Sequence, residues 1–137
     1  MFMKKLGFII LFASCATMAQ EEIDCTKALT TMDVNQCMQK ELLVAQKAMD
    51  TYLAKSIERY SQDEVSIKSI IKSQEAWLKY KEEHCNAVYD TWRDGTIRGT
   101  MALECKLELT HQRTKVLWKS FLTYMDSTPP LLPEPKL

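Results

Sequence analysis

The middle of the chain reads Gln74-Glu75-Ala76-Trp77-Leu78-Lys79-Tyr80-Lys81-Glu82-Glu83-His84-Cys85. Its apolar residues recur at the spacing of one helix face, and that spacing continues on both sides through Ile67, Ile70, Ile71, Val88 and Trp92. The stretch therefore predicts one long amphipathic helix. We expect this helix to end near Asp94-Gly95, because glycine can take the left-handed conformation that ends many helices.

Two further helices are predicted, one on each side of this helix. The first covers about residues 33–60, with Thr30 or Thr31 as its cap, and the last covers about residues 100–124. Residues 61–64 read Ser-Gln-Asp-Glu, which fits the capping box that starts a helix. Because short connections make successive helices antiparallel neighbours, the predicted fold class is all-α, a small antiparallel three-helix bundle.

Both ends of the chain are predicted to lie outside the bundle. Residues 1–19 have the charged start, short apolar core and small-residue end of a secretory signal peptide. Its removal leaves residues 20–124 as the helical domain, which begins with a short arm before the first long helix. Residues 125–137 contain all four prolines and are predicted to form a disordered tail. Because residues 12–15 approximate a bacterial lipoprotein site, acylation of Cys15 is the alternative to ordinary cleavage.

The remaining four cysteines, Cys25, Cys37, Cys85 and Cys105, predict two disulfides, because short exported chains mature in an oxidising compartment. Counted from the predicted turns, the last three share one level of the bundle, and Cys25 lies in an arm that folds back toward it. We therefore favour Cys25–Cys85 with Cys37–Cys105, followed by Cys25–Cys105 with Cys37–Cys85. Pairing of consecutive cysteines ranks last, because it is the least compatible with a continuous helix between partners, and it stays open.

Charge and motif patterns argue against several classes of function. Lysine plus arginine and aspartate plus glutamate each number 18 over the full chain, and no basic stripe suited to nucleic acid occurs. The cysteine spacing contains no CxxC motif of a metal, haem or redox site. His84 and His111, the two histidines, have no neighbouring residues at ligand spacing. We predict a protein that is not an enzyme and that uses no metal or cofactor.

Residues along most of the chain resemble a known family. They are Asp24-Cys25, Thr31, Asn35-Gln36-Cys37, Glu41, Ala45, Tyr52-Leu53, the string from Gln74 to Lys81 with Cys85, and finally Cys105, Thr110 and Arg113. Together they are similar to the N-terminal domain of LprI-type lysozyme inhibitors, up to about Leu122. Lys81, where arginine is more usual, and the sparse glycine around Gly95 depart from that pattern.

The resemblance implies a bacterial exported protein, periplasmic or secreted, or lipid-anchored in the envelope if Cys15 is acylated. It implies lysozyme as a possible partner. The alternative is an envelope interaction protein, or an immunity or stress protein, that binds a different partner. From their positions, Trp77, Tyr80, Thr110 and Arg113 are predicted to maintain the fold, with Thr110 and Arg113 supplying buried hydrogen bonds.

The predicted partner-binding loop is residues 94–99. Lysozymes hydrolyse glycan with two carboxylates in a cleft, and an inhibitor has to fill that cleft or cover its rim with a rigid protrusion. The loop joins two helices that carry predicted disulfides and presents one cation. Asp94, Thr96 and Arg98 are therefore the candidate contact residues, and an ordinary helix connector is the alternative interpretation.

Overall fold

The computed structural model describes residues 23–136, and all the regular secondary structure in that range is helical. A 3₁₀ turn at Cys25–Lys27 precedes three long helices: α1 at Thr31–Arg59, α2 at Glu64–Thr91 and α3 at Arg98–Leu117. A π-helical turn at Trp118–Leu122 continues α3. The all-α prediction is confirmed, and residues 23–136 contain no strand. The predicted signal peptide and Cys15 lie outside the described residues.

None of the described helices has an apolar stretch long enough to cross a bilayer. Each helix instead alternates buried positions with exposed polar ones, as expected for helices that pack on one side.

Side-chain caps determine where α1 and α2 begin. Thr30 and Asp33 form a capping box, in which each side chain accepts a hydrogen bond from the other residue's amide at 3.1 Å. At α2 the cap is Asp63, whose carboxylate accepts hydrogen bonds from the Ser66 hydroxyl and from two amides of the first turn. The Ser66 hydroxyl, with those amides, holds the pKa of Asp63 below its ordinary value. The box predicted over residues 61–64 is wrong, because Ser61 belongs to the turn between the helices.

The end of α2 differs from the prediction. Its cap residue, Trp92, has φ −100° and ψ 17°, and no residue within 23–136 has a positive φ. The expected left-handed glycine is therefore absent from the described chain. The Gly95 amide instead donates a hydrogen bond to the Trp92 carbonyl at 2.9 Å, which closes a compact turn before α3 begins.

The helices meet in one core, in which α3 contacts both α1 and α2. Buried apolar side chains come from every helix: Leu42, Ala45, Met49, Ile70, Cys85, Ala102, Leu117 and Leu122. Close packing of these side chains removes the apolar face of each helix from water, which is the main stabilising contribution to such a fold.

Specific contacts show how α3 runs relative to α2 and to α1. The Cys85–Cys105 disulfide and the hydrogen bond from Arg113 to Gln74 join α2 to α3 at two levels. Residue numbers fall along α2 as they rise along α3, so these two helices are antiparallel. Between α1 and α3, the Asn35–Thr100 hydrogen bond lies at one end, and the hydrogen bond from Arg59 to the Phe121 carbonyl lies at the other. Residue numbers rise together along the two helices, so they are parallel.

Both disulfides join consecutive cysteines. Cys25 is bonded to Cys37, and Cys85 to Cys105. The two pairings that were favoured from the sequence are therefore wrong, and the pairing ranked last is observed. The 3₁₀ turn folds the arm back along the first turns of α1, which brings Cys25 to Cys37 without a long crossing. Cys85 and Cys105 lie nearly equally far from the connector between their helices, so they face each other.

The proline-rich tail packs against α1 and α3, in contrast to the predicted disorder. Three hydrogen bonds and an ion pair hold it: the Leu131 amide to the Leu122 carbonyl, the Trp118 indole to the Leu132 carbonyl, the Tyr52 hydroxyl to the Pro133 carbonyl, and Lys115 to Glu134. Proline removes amide donors but keeps carbonyl acceptors. The tail is therefore ordered by donors that lie elsewhere in the sequence.

Candidate functional site

The connector between α2 and α3, residues 92–97, coincides with most of the predicted partner-binding loop. Its backbone is fixed by the Arg93 amide, which donates to the Asp90 carbonyl at 3.2 Å, and by the Gly95 turn. The Cys85–Cys105 disulfide joins the flanking helices about two helical turns from the connector. Cys85 is fully buried, so the bridge is anchored in the core. The connector is thus a short turn between two helices that a buried disulfide holds together.

Several side chains at this turn remain open to solvent. Trp92 is 42% exposed and Ile97 is 40% exposed, although both are large and apolar. We define the connector surface as the side chains of Tyr89, Trp92, Asp94, Thr96, Ile97 and Arg98. Trp, Tyr and Arg are the residue types enriched at the hot spots of protein interfaces. The composition of this surface is therefore suited to binding a protein.

Arg98 has a defined position on this surface. Its guanidinium carbon lies 3.8 Å from the centroid of the Tyr89 ring, in cation–π contact across the start of α3. The side chain is half-buried. A cation held in this way loses less conformational entropy when it binds than a freely rotating one does.

Of the three predicted contact residues, Asp94 and Thr96 belong to the connector and Arg98 is the first residue of α3. The sequence did not predict that Trp92 would be exposed beside them. Asp94 and Thr96 are exposed, as a binding role requires. Trp92 was assigned to the apolar side of α2, but the helix ends at Thr91, so Trp92 leaves the buried face. The only sequence signal for its exposure is its closeness to the Asp-Gly pair that marks the turn.

A buried polar cluster joins the N-terminal half of α2 to α1 and α3. The Arg113 guanidinium donates to the Gln74 side-chain oxygen and to the Ser73 hydroxyl, both at 2.9 Å. Gln74 in turn donates to the Met49 sulfur at 3.6 Å. Burial lowers the pKa of Arg113. Arg113 thus makes the buried hydrogen bonds that its sequence position predicted, and it ties α2 and α3 together.

Aromatic residues of the same helix have different environments. Trp77 is half-buried, with Lys81 Nζ 4.9 Å and Arg113 Cζ 5.9 Å from its ring centroid. Tyr80 is exposed and stacks on His84 at a centroid distance of 5.3 Å. Tyr80, which was predicted to maintain the fold, therefore contributes a surface ring stack within α2.

The two histidines do not form a joint site. His84 lines a groove between α2 and α3, whereas His111 lines a different groove beside α1 and the tail. The described part of the chain contains no group of three or more histidine, cysteine, aspartate or glutamate side chains placed to hold a metal ion.

Comparison with known proteins gives one family. A family model described as "Lysozyme inhibitor LprI" matches residues 24–117. The chain is also 25% identical over 126 residues to an uncharacterized protein of Rhizobium meliloti (strain 1021), which covers 82% of this chain and 88% of that protein. No solved structure gives a significant match. The matched family interval contains both disulfides, the buried cluster and the connector surface, and it ends before the tail.

Proposed function

Because the chain belongs to the LprI family of lysozyme inhibitors, we propose that it is an exported, non-enzymatic protein that binds and inhibits lysozyme. The family match over residues 24–117 is the observation that carries this proposal. It spans α1, α2 and α3 in full together with both disulfides. The similarity therefore covers the whole packed unit rather than one short motif.

Two features support export. Residues 1–19 have the three-part pattern of a signal peptide. The two disulfides suit an oxidising compartment such as the periplasm or the exterior of the cell. Intact mass of the exported protein tests this directly. We expect a chain that starts at Gln20 and lacks four hydrogens, and a mass that begins at an acylated Cys15 would place the protein on the membrane instead.

The connector surface is the proposed contact with lysozyme. A lysozyme cleft contains two carboxylates, so the Arg98 cation complements its charge. Trp92 and Ile97, at the two ends of the connector, add exposed apolar area, whose burial against the rim would exclude water from the contact. The nearby disulfide and the Tyr89 stack limit the entropy that the connector loses on binding.

Inhibition of this kind requires only that the cleft be occupied. No bond has to break, and no acid or base has to be supplied by the inhibitor. The non-enzymatic part of the proposal rests on the family, which is described as a family of inhibitors.

The test is the hydrolysis of bacterial cell walls by a panel of lysozymes, with and without a micromolar excess of the purified protein. We expect hydrolysis by at least one lysozyme to fall. Trp92→Ala and Arg98→Ala should each weaken that inhibition at least about tenfold, the loss that corresponds to about 1.4 kcal/mol. Val65→Ala and Lys72→Ala are the matched controls, because both residues are exposed on α2 away from the connector.

The possible results separate the parts of the proposal. If none of the lysozymes is inhibited, lysozyme inhibition is refuted. Affinity capture from the periplasm then tests the alternative of a different envelope partner. If inhibition occurs and both connector variants inhibit as strongly as the native chain, the connector assignment alone is refuted.

A further inference from the structure

A second surface feature is lined by residues other than those of the connector surface. A groove of about 550 Å³ lies between α1 and α2 and also receives side chains from α3. Leu42, Leu78 and Leu103 line it, one from each helix. We call it the α1–α2 groove. Its volume falls in the range of sites that hold small molecules.

Positive charge predominates in this groove. Lys79, Lys81 and Lys106 line it, against a single acidic residue, Glu82. Asp50 on α1 is near enough to attract Lys81 electrostatically. No ion pair or hydrogen bond within residues 23–136 involves Lys81, however.

Lys81 is unusual because it is a buried cation that forms no ion pair with a carboxylate of the described residues. Its side chain is 8% exposed, and its ammonium lies 4.9 Å from the Trp77 ring centroid. That ring attracts the charge but satisfies none of its three N–H donors in the way that a carboxylate does. Burial, and then the charge of Lys106, lower the pKa of Lys81.

The ammonium of Lys81 is nevertheless reachable from solvent. Within the described residues, every side-chain nitrogen or oxygen that is sealed from solvent has a hydrogen-bond partner. Lys81 has none, so its nitrogen keeps some contact with solvent. An anion that enters the groove can therefore reach it, and the same anion would offset the repulsion between Lys81 and Lys106.

We propose that the α1–α2 groove binds an aliphatic carboxylate, with the carboxylate at Lys81 and Lys106 and the hydrocarbon chain along the three leucines. The leucines favour an aliphatic body over a polar one, and the pair of lysines favours a negative head group. None of the residues that line this groove belongs to the connector surface, so its binding can be tested separately from lysozyme inhibition.

Octanoate is the probe, and titration calorimetry of the native chain gives its affinity. We expect saturable binding at millimolar concentration, with the Trp77 indole resonance shifting in a parallel NMR titration. Octan-1-ol has the same chain without the charge and should bind at least about tenfold more weakly. N-Acetylmuramic acid carries a carboxylate on a polar body and should also bind more weakly than octanoate.

Variants locate the site. Lys81→Gln and Lys106→Gln should each reduce octanoate affinity about tenfold or more, whereas Lys72→Gln, on an exposed part of α2, should leave it unchanged. Two lysine variants are used so that the test survives if one of them fails to fold. The proposal is overturned by the absence of saturable octanoate binding, by equal binding of octanol, by tighter binding of the sugar acid, or by full affinity in folded lysine variants.

Discussion

Replacing both Cys85 and Cys105 with alanine removes the bridge that ties α2 to α3. The bridge closes a loop of 20 residues. Loop-closure entropy in the unfolded chain then corresponds to a stabilisation of about 3.3 kcal/mol. The equivalent figure for the Cys25–Cys37 bridge, whose sequence separation is 12, is about 2.8 kcal/mol. Each bridge has one buried cysteine, but Cys85 is fully buried whereas Cys37 is 8% exposed, and its partner Cys105 is half-buried whereas Cys25 is exposed. Alanine at the Cys85–Cys105 bridge therefore leaves the larger cavity.

The assay is thermal unfolding of the chain from Gln20 onward under oxidising conditions. At about 4 °C per kcal/mol for a domain of this size, loss of the Cys85–Cys105 bridge should lower Tm by about 13 °C. Loss of the Cys25–Cys37 bridge should lower it by less. Equal or reversed shifts would refute the reasoning from loop length and burial.

Thiol titration of a third variant tests the pairing itself. Cys25→Ala combined with Cys85→Ala removes one partner from each observed bridge, so two free thiols should be titrated, at Cys37 and Cys105. The pairing favoured from the sequence, Cys25–Cys85 with Cys37–Cys105, predicts no free thiols in this variant, because Cys37 and Cys105 would stay bonded to each other. An absence of free thiols in this variant therefore contradicts the observed connectivity.

Three further changes probe other contacts. Arg59→Met should lower the free energy of unfolding, measured in urea, by about 2–3 kcal/mol, because its guanidinium donates to the Phe121 and Thr123 carbonyls at 2.6 and 2.8 Å. Trp118→Phe should lower it by about 1 kcal/mol and speed hydrogen exchange at Leu131, since the indole no longer holds the tail. Lys81→Met should be more stable than the native chain at pH 7, by a margin that narrows as pH rises toward 10.5. The folded state disfavours the charged ammonium, and this penalty is lost once the unfolded state also deprotonates.

A control variant tests the Arg59 prediction, and a stated outcome would contradict each of the other two predictions. Lys55→Met removes only a surface pair with Glu58, so it should cost less than about 1 kcal/mol, and a loss equal to that of Arg59→Met contradicts the Arg59 argument. Unchanged exchange at Leu131 would show that the indole does not order the tail. A margin for Lys81→Met that stays constant with pH would rule out burial of the charge as its cause.

The parts of the fold that depend on local sequence could be predicted. Helix periodicity and the cap at Thr30 are properties of residues three or four positions apart, so the three helices appeared near their observed bounds. The family followed from the string between Gln74 and Cys85 and the order of the cysteines. The exact start of α2 was missed because Ser61 and Asp63 are competing caps two residues apart, and that of α3 was missed because no side chain caps it.

The parts that depend on distant contacts could not be predicted. The disulfide pairing is set by a 3₁₀ turn at Cys25 that has no strong sequence signal. The tail is ordered by donors such as Tyr52, which lies 81 residues from its acceptor. The exposure of Trp92 follows from where α2 ends, and the pairing of Arg98 with Tyr89 follows from how α3 approaches α2.

The consecutive disulfide order has a consequence for how the protein matures. A chain that is oxidised as it emerges, N-terminus first, presents Cys25 and then Cys37 before either later cysteine is available. Its first two thiols are already native partners, and the same holds for Cys85 and Cys105. Oxidation in order of emergence therefore yields the native bonds without the slow thiol–disulfide reshuffling that an interleaved pattern would need. An oxidant alone should be sufficient to complete this protein, with no requirement for a disulfide isomerase.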